Sequence, residues 1–272
     1  MKDPLGDRMK ATERFSAGER IHPENPLYVR LDGRGFSRFT KGMQRPFDPR
    51  MTAAMKATAT HLLEATHANA AYVQSDEISL LWSVDPEGEH LFGGKPQKLT
   101  SVLAGLATAA FTRALLADTS GLAQWADRLA HFDARAVAMG DPQESCEMFA
   151  WRGKDARRNG INQLAQSVFS NRALHGISTR DVLAMLAGKG IDLDDYPAAS
   201  LNGTLLRRIA VRRALSETER AKIPQAHRPG PDQLYTRHMT VGYDEVHPGR
   251  LENLEDVLFD GAEPVRRAPP TT

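Results

Sequence analysis

The stretch Leu27–Tyr28–Val29–Arg30–Leu31–Asp32–Gly33–Arg34–Gly35–Phe36 decides how the chain is read. Leu27–Leu31 is an apolar run that predicts a buried strand. It stops at Asp32, where Gly33 and Gly35 permit a tight turn. The stretch from Ala70 to Val84 has the same build. Ala70–Gln74 and Ile78–Val84 read as the strands of a hairpin, with Ser75–Asp76–Glu77 at its tip. Between the two stretches Asp48–Pro49 signals a helix start. Met51, Met55, Thr58 and Leu62 then recur at three-to-four spacing on one core-facing side.

This order has a geometric consequence. A strand–helix–strand crossover returns the second strand parallel to the first, with a right-handed connection. Both strands then end at one edge of the sheet. If the second hairpin strand inserts between them, Asp32 and Asp76 meet there. Two carboxylates that close repel unless a cation or a proton joins them. Magnesium takes one or two carboxylates and completes its shell with water and substrate phosphates. A lone Asp at a strand end is usually a turn cap or an ion-pair partner, so the coincidence of the two carries the reading. It predicts a metal-dependent phosphate site built on the carboxylates of Asp32 and Asp76. The backbone N–H groups of Gly33, Arg34, Gly35 and Phe36 could face phosphates there, and Ser75 could add a hydroxyl donor. Arg30, on the same strand face as Asp32, could neutralise phosphate or pair with a carboxylate. Glu77 alternates away from Asp76 and reads as a supporting residue.

Gly93–Gly94–Lys95–Pro96–Gln97–Lys98 leads into a long helix, Leu99–Leu116. Its N-terminal end with Lys95 and Lys98 is either an anion site or a solvated flank. His131–Met139 reads as a fourth strand, completing a βαββαβ pattern by about Gly140. The expected fold is therefore α+β: a ferredoxin-like, palm-like core over residues 1–140, including an N-terminal extension opened by Asp3–Pro4. Residues 141–272 read as a mainly helical region packed on that core. Pro142–Trp151 and Asn159–Phe169 look helical, separated by the basic stretch Arg152, Lys154, Arg157 and Arg158. That stretch is either an RNA-phosphate patch or an exposed helix end. Ser178 and Asp181 open a helix through Leu186. Asn202–Gly203 precedes a strand-like run around Leu205–Val211, Pro224–Pro231 reads as an irregular loop, and Arg266–Thr272 as a frayed tail.

At 272 residues the chain can bury a substantial core, and 41% hydrophobic with 25% charged residues is a globular composition. No apolar run is read as membrane-spanning, and the N-terminus lacks the apolar core of a signal peptide. The single cysteine, Cys146, precludes an internal disulfide framework and fits a reducing compartment. A cytoplasmic protein without a membrane partner is expected. Nine histidines lack zinc-ligand spacing. A net charge of +1 argues against a general basic coat, so nucleic-acid contact must come from local patches.

Several of these segments together resemble the tRNA(His) guanylyltransferase family, including relatives that repair truncated tRNA 5′ ends. They are Arg30–Phe36, Arg38–Phe39, Gln74–Glu77, Phe132–Arg135, Trp151–Arg152 with Asp155, and Asn202–Thr204. They run in order over most of the chain. The resemblance implies a polymerase-type palm working in the 3′–5′ direction. ATP would activate the tRNA 5′-monophosphate, and the 3′-hydroxyl of GTP would attack it. By motif, Asp32 and Asp76 would be the catalytic residues, holding two magnesium ions together with the Gly33 carbonyl. Asp32 through Ser37, with Ser75 and Asp76, would contact the nucleotide, and Lys41, Lys95 and Lys98 its triphosphate. A homotetramer is also implied. Where eukaryotic members carry a His-Ile-Asn-Asn segment, this chain has Arg157–Arg158–Asn159–Gly160, which favours template-dependent 5′-end addition over dedicated single-G addition. Two rival readings are a palm-type nucleotide cyclase and a non-catalytic RNA-binding protein with a decayed palm. The long basic C-terminal half counts against the first, and the intact pair Asp32 and Asp76 against the second.

Overall fold

The computed structural model describes residues 4–16, 18–84, 87–117 and 119–268. Its strands are β1 (Leu27–Gly33), β2 (Ala70–Gln74), β3 (Glu77–Trp82), β4 (Phe132–Ala138), β5 (Thr204–Ala214) and β6 (Leu234–Tyr243). Its helices are α1 (Pro4–Ser16), α2 (Phe36–Phe39), α3 (Pro49–Thr66), α4 (Pro96–Leu116) and α5 (Pro142–Val168). After these come α6 (Asn171–Leu174), α7 (Thr179–Ala187), α8 (Ala198–Asn202), α9 (Glu217–Ala221) and α10 (Leu254–Phe259). The expected N-cap Asp3 lies outside the described residues.

One sheet runs β4-β1-β3-β2-β5-β6, with every neighbouring pair antiparallel. β3 lies between β1 and β2 and pairs with both, so those two point the same way. The alternation of β1 distributes its side chains between two cores. Leu27, Val29 and Leu31 face α3 and α4, whose buried stripes include Met55, Leu62, Leu103 and Phe111. Tyr28 on the opposite face joins Tyr72, Phe149, Val257 and Leu258, beneath α5 and α10. A third cluster, with Ile161, Leu164, Val182, Leu186 and Leu201, ties α5 to α7 and α8. The start of α3 is set by Asp48, whose side chain accepts the Arg50 amide at 3.0 Å, and by Pro49 in the first turn.

Four expectations need correction. The two helices expected over 142–151 and 159–169 are one, α5: the basic stretch contains no breaker strong enough to outweigh burial of Phe149, Ala156 and Leu164 on one continuous face. The C-terminal half is less helical than its pattern suggests, because β5 pairs with β2 and β6 with β5, carrying the sheet past residue 140. β6 has no apolar alternation to mark it in the sequence, since most of its residues are exposed. By length and composition α4 could span a bilayer, contrary to the reading of the sequence. Its Leu99, Leu103, Ala107, Phe111 and Leu115 are instead buried in this fold. Finally, Arg266 is not frayed: it bridges to Leu251, and the Arg267 amide donates to the Arg250 carbonyl at 2.8 Å.

Candidate active site

Asp32 is the penultimate residue of β1, and Asp76 sits in the two-residue turn between β2 and β3. Beyond the β1–β3 ladder, a backbone bond ties the strand end to the turn: the Gly33 amide donates to the Asp76 carbonyl at 3.0 Å. The turn is tightly specified. A β-carbon on Gly33 would lie 2.4 Å from the Phe36 ring, and Gly35 adopts φ +69°, so each position demands glycine. Phe36 in turn packs among Phe39, Phe111 and Phe132, anchoring the turn after Asp32 to the core on the α4 side. Ser75, at φ 50°, takes a left-handed backbone that a side-chain-bearing residue resists.

Burial pushes the Asp76 carboxyl up to about 6, and the nearby Asp32 charge adds to this while Ser75 pulls the other way. Asp32 lies in register with Glu77 on β3 and Asp133 on β4, so three acids cross the sheet side by side. Glu77 is neutralised: Arg152 Nε and Nη2 donate to its two oxygens at 2.7 and 2.5 Å, and Gln74 Nε2 donates at 2.9 Å. The Arg30 Nε lies 3.8 Å from Glu77, and it is buried without a hydrogen-bond acceptor. Asp133 is exposed, and its place opposite Asp32 emerges only from strand register.

Among the described residues no three His, Cys, Asp or Glu side chains converge as a complete metal cage. A hard cation needs one or two protein carboxylates and completes its shell with phosphate and water. The donor set also fits: two carboxylates, one of them already destabilised in its charged form, stand at a glycine turn beside an arginine nitrogen lacking an acceptor.

The structure assembles part of the predicted site and not the rest. Asp32, Gly33, Arg34, Gly35, Phe36, Ser37, Ser75 and Asp76 share one sheet edge, with Arg30 just inside it. Lys41 follows α2 there, its carbonyl accepting from Arg128 at 2.7 Å. The amides of Gly33 and Arg34 are not free for phosphates, since they donate to the carbonyls of Asp76 and His131. Lys95 and Lys98 are elsewhere. α4 starts where the Ile21 amide donates to Gly94 at 2.8 Å and the His90 ring bonds the Asn25 carbonyl, at the end where β1 begins. It reaches the Gly33 turn only at Phe111, which packs on Phe36. At about 1.5 Å per residue, Lys98 and Phe111 are separated by roughly 20 Å of helix.

The RNA-facing set also changes. Arg152 is buried at 6% exposure and committed to Glu77 and Asp155, so it is not a phosphate contact. Arg157 is half-buried and donates to Asn202 Oδ1 at 3.1 Å. Lys154 and Arg158 face solvent, Arg158 paired with Asp155. Gly160 has a packing role: a β-carbon there would meet the Ser200 carbonyl at 2.9 Å.

Residues 6–140 match the family model for tRNAHis guanylyltransferase, Thg1. The tRNA(His) guanylyltransferase of Schizosaccharomyces pombe is 30% identical over 179 residues, which span 62% of each chain. A bacterial tRNA(His) guanylyltransferase (Thg1)-like protein solved in complex with ATP is 31% identical, with a TM-score of 0.67 over 75% of this chain and 87% of that one. A bacterial Thg1-like protein in complex with GTP is 26% identical, with a TM-score of 0.64 over 88% and 91%.

Proposed function

Because the chain belongs to the tRNA(His) guanylyltransferase family, we propose that it is a magnesium-dependent nucleotidyltransferase adding nucleotides to tRNA 5′ ends in the 3′–5′ direction. GTP and ATP are its proposed substrates, ATP activating the 5′-phosphate. The observation that carries this reading is the meeting of Asp32 and Asp76 at one sheet edge, stitched by the Gly33–Asp76 backbone bond. The strand order β4-β1-β3-β2 supports a ferredoxin-like palm as the catalytic core.

Asp32, Asp76 and the Gly33 carbonyl would hold two magnesium ions. When bound, these would lower the attacking hydroxyl's pKa and stabilise the leaving oxygen of an in-line displacement. Gly33 and the Phe36 cluster hold the two carboxylates in register before substrate arrives. Arg30 is held near Glu77, and its charge can offset phosphate charge at this edge of the sheet. Arg34, Ser37 and Lys41 are exposed along the turn and α2, where they can offset triphosphate charge. Within Arg157–Gly160, Arg157 contacts Asn202 and Gly160 packs against Ser200. It is the replacement of the eukaryotic members' His-Ile-Asn-Asn segment here that supports template-directed addition over recognition of one tRNA.

The test supplies intact and 5′-truncated tRNAs with each nucleoside triphosphate and magnesium, then sequences the products. Extension at the 5′ end is expected, with Asp32→Ala and Asp76→Ala each reducing it by about 10²–10³-fold or more, the scale of losing one preorganised charge. Cyclic or dinucleotide product without tRNA would overturn the reading, as would extension that survives both substitutions.

A further inference from the structure

We propose that Trp151 is a base-stacking platform for the single-stranded end of the RNA substrate, an inference resting on the function proposed above. The other two tryptophans, Trp82 and Trp125, are buried, whereas Trp151 is 53% exposed on α5. An exposed indole costs free energy unless something covers it.

The ring is held firmly. Arg152 Cζ lies 4.6 Å from its centroid, a cation–π contact. That guanidinium is itself fixed by two bonds to Glu77, the cross-strand neighbour of Asp32. The platform is thus one guanidinium removed from the edge where the acids meet.

Its neighbours identify the occupant. One and two turns further along α5, Lys154 and Arg158 are exposed, Arg158 also bonded to Asp155, and Glu147 lies one turn before. Charge before and after it along the helix disfavours a dry protein interface, whose centre is depleted of charged residues. A single strand suits it: its bases offer flat faces to the indole and its phosphates pass Lys154, with Arg158 shared with Asp155 beyond it.

The test compares Trp151→Ala and Trp151→Phe in the full chain, with thermal unfolding as the folding control. The RNAs are tRNAs with abasic substitutions at each unpaired terminal position. Trp151→Ala should weaken tRNA binding by roughly 5- to 150-fold, the usual range for one stacked base, and Trp151→Phe by less. GTP affinity should not change. One abasic position should cost wild-type binding yet cost Trp151→Ala nothing, and tRNA should protect the exposed tryptophan's fluorescence from iodide quenching. If the wild type extends tRNA and Trp151→Ala binds it equally well, this proposal alone fails. Loss of self-association with intact tRNA affinity would assign Trp151 to a contact between copies instead. If the wild type neither binds nor extends any tRNA, the underlying function fails too.

Discussion

Asp76 shows what the site asks of a single residue. Its carboxyl titrates at about 6 in the free protein, against 3.8 unperturbed, mainly because burial penalises the charge. Between those values the folded chain binds more protons at this position than the unfolded one. Stability therefore falls as pH rises through the window, and the penalty is complete above about pH 6. Asp76→Asn should remove it, gaining about 1–2 kcal/mol at pH 7.5 and nothing near pH 3.5, readable by urea denaturation at the two pH values. The charged form is the one that would bind a cation, so kcat/KM for nucleotide addition should decline as pH drops below about 6. A flat profile from pH 5 to 8 would separate Asp76 from the chemistry. Residues at this scale were legible where a turn forced them. Asp32, Gly33 and Asp76 announce themselves between apolar runs, whereas Asp133 carries no local mark and is placed beside Asp32 only by the pairing of β1 with β4.

Among the elements, α5 differs most from its sequence pattern. A run of arginines and lysines reads as a solvated break, yet helical spacing turns Arg152 inward and Lys154 and Arg158 outward. Sequence spacing alone could not separate these roles, because burial of Arg152 depends on Glu77 arriving from a strand 75 residues earlier. Arg152→Ala would leave Glu77 buried without its partner and should cost about 3–5 kcal/mol in chemical denaturation. Adding Glu77→Gln should recover much of that loss, since a neutral amide is easier to bury. Gly160→Ala tests the buried position at the far end of this basic stretch. Its new methyl would press on the Ser200 carbonyl and Leu201, costing about 1–3 kcal/mol and loosening α8 with its Asn202 contact to Arg157.

The whole molecule carries a net charge of only +1, so its grip on a polyanion must be local. Lys154→Ala with Arg158→Ala should weaken binding of all tRNAs about equally. It should also lower the slope of log affinity against log salt by about 1–2, at roughly 0.7–0.9 per phosphate contact. An unchanged slope would place the RNA on another face.

The pairing of β5 with β2 has a consequence at the same scale. A fragment ending near residue 140 keeps both aspartates, yet it strips β2 of a neighbour along Ala70–Val73 and uncovers Tyr28 and Tyr72. Such an unprotected flank is a template for self-association. That fragment should accumulate as aggregates rather than as a minimal enzyme, because the segment expected to handle RNA also shields the strand that leads to Asp76.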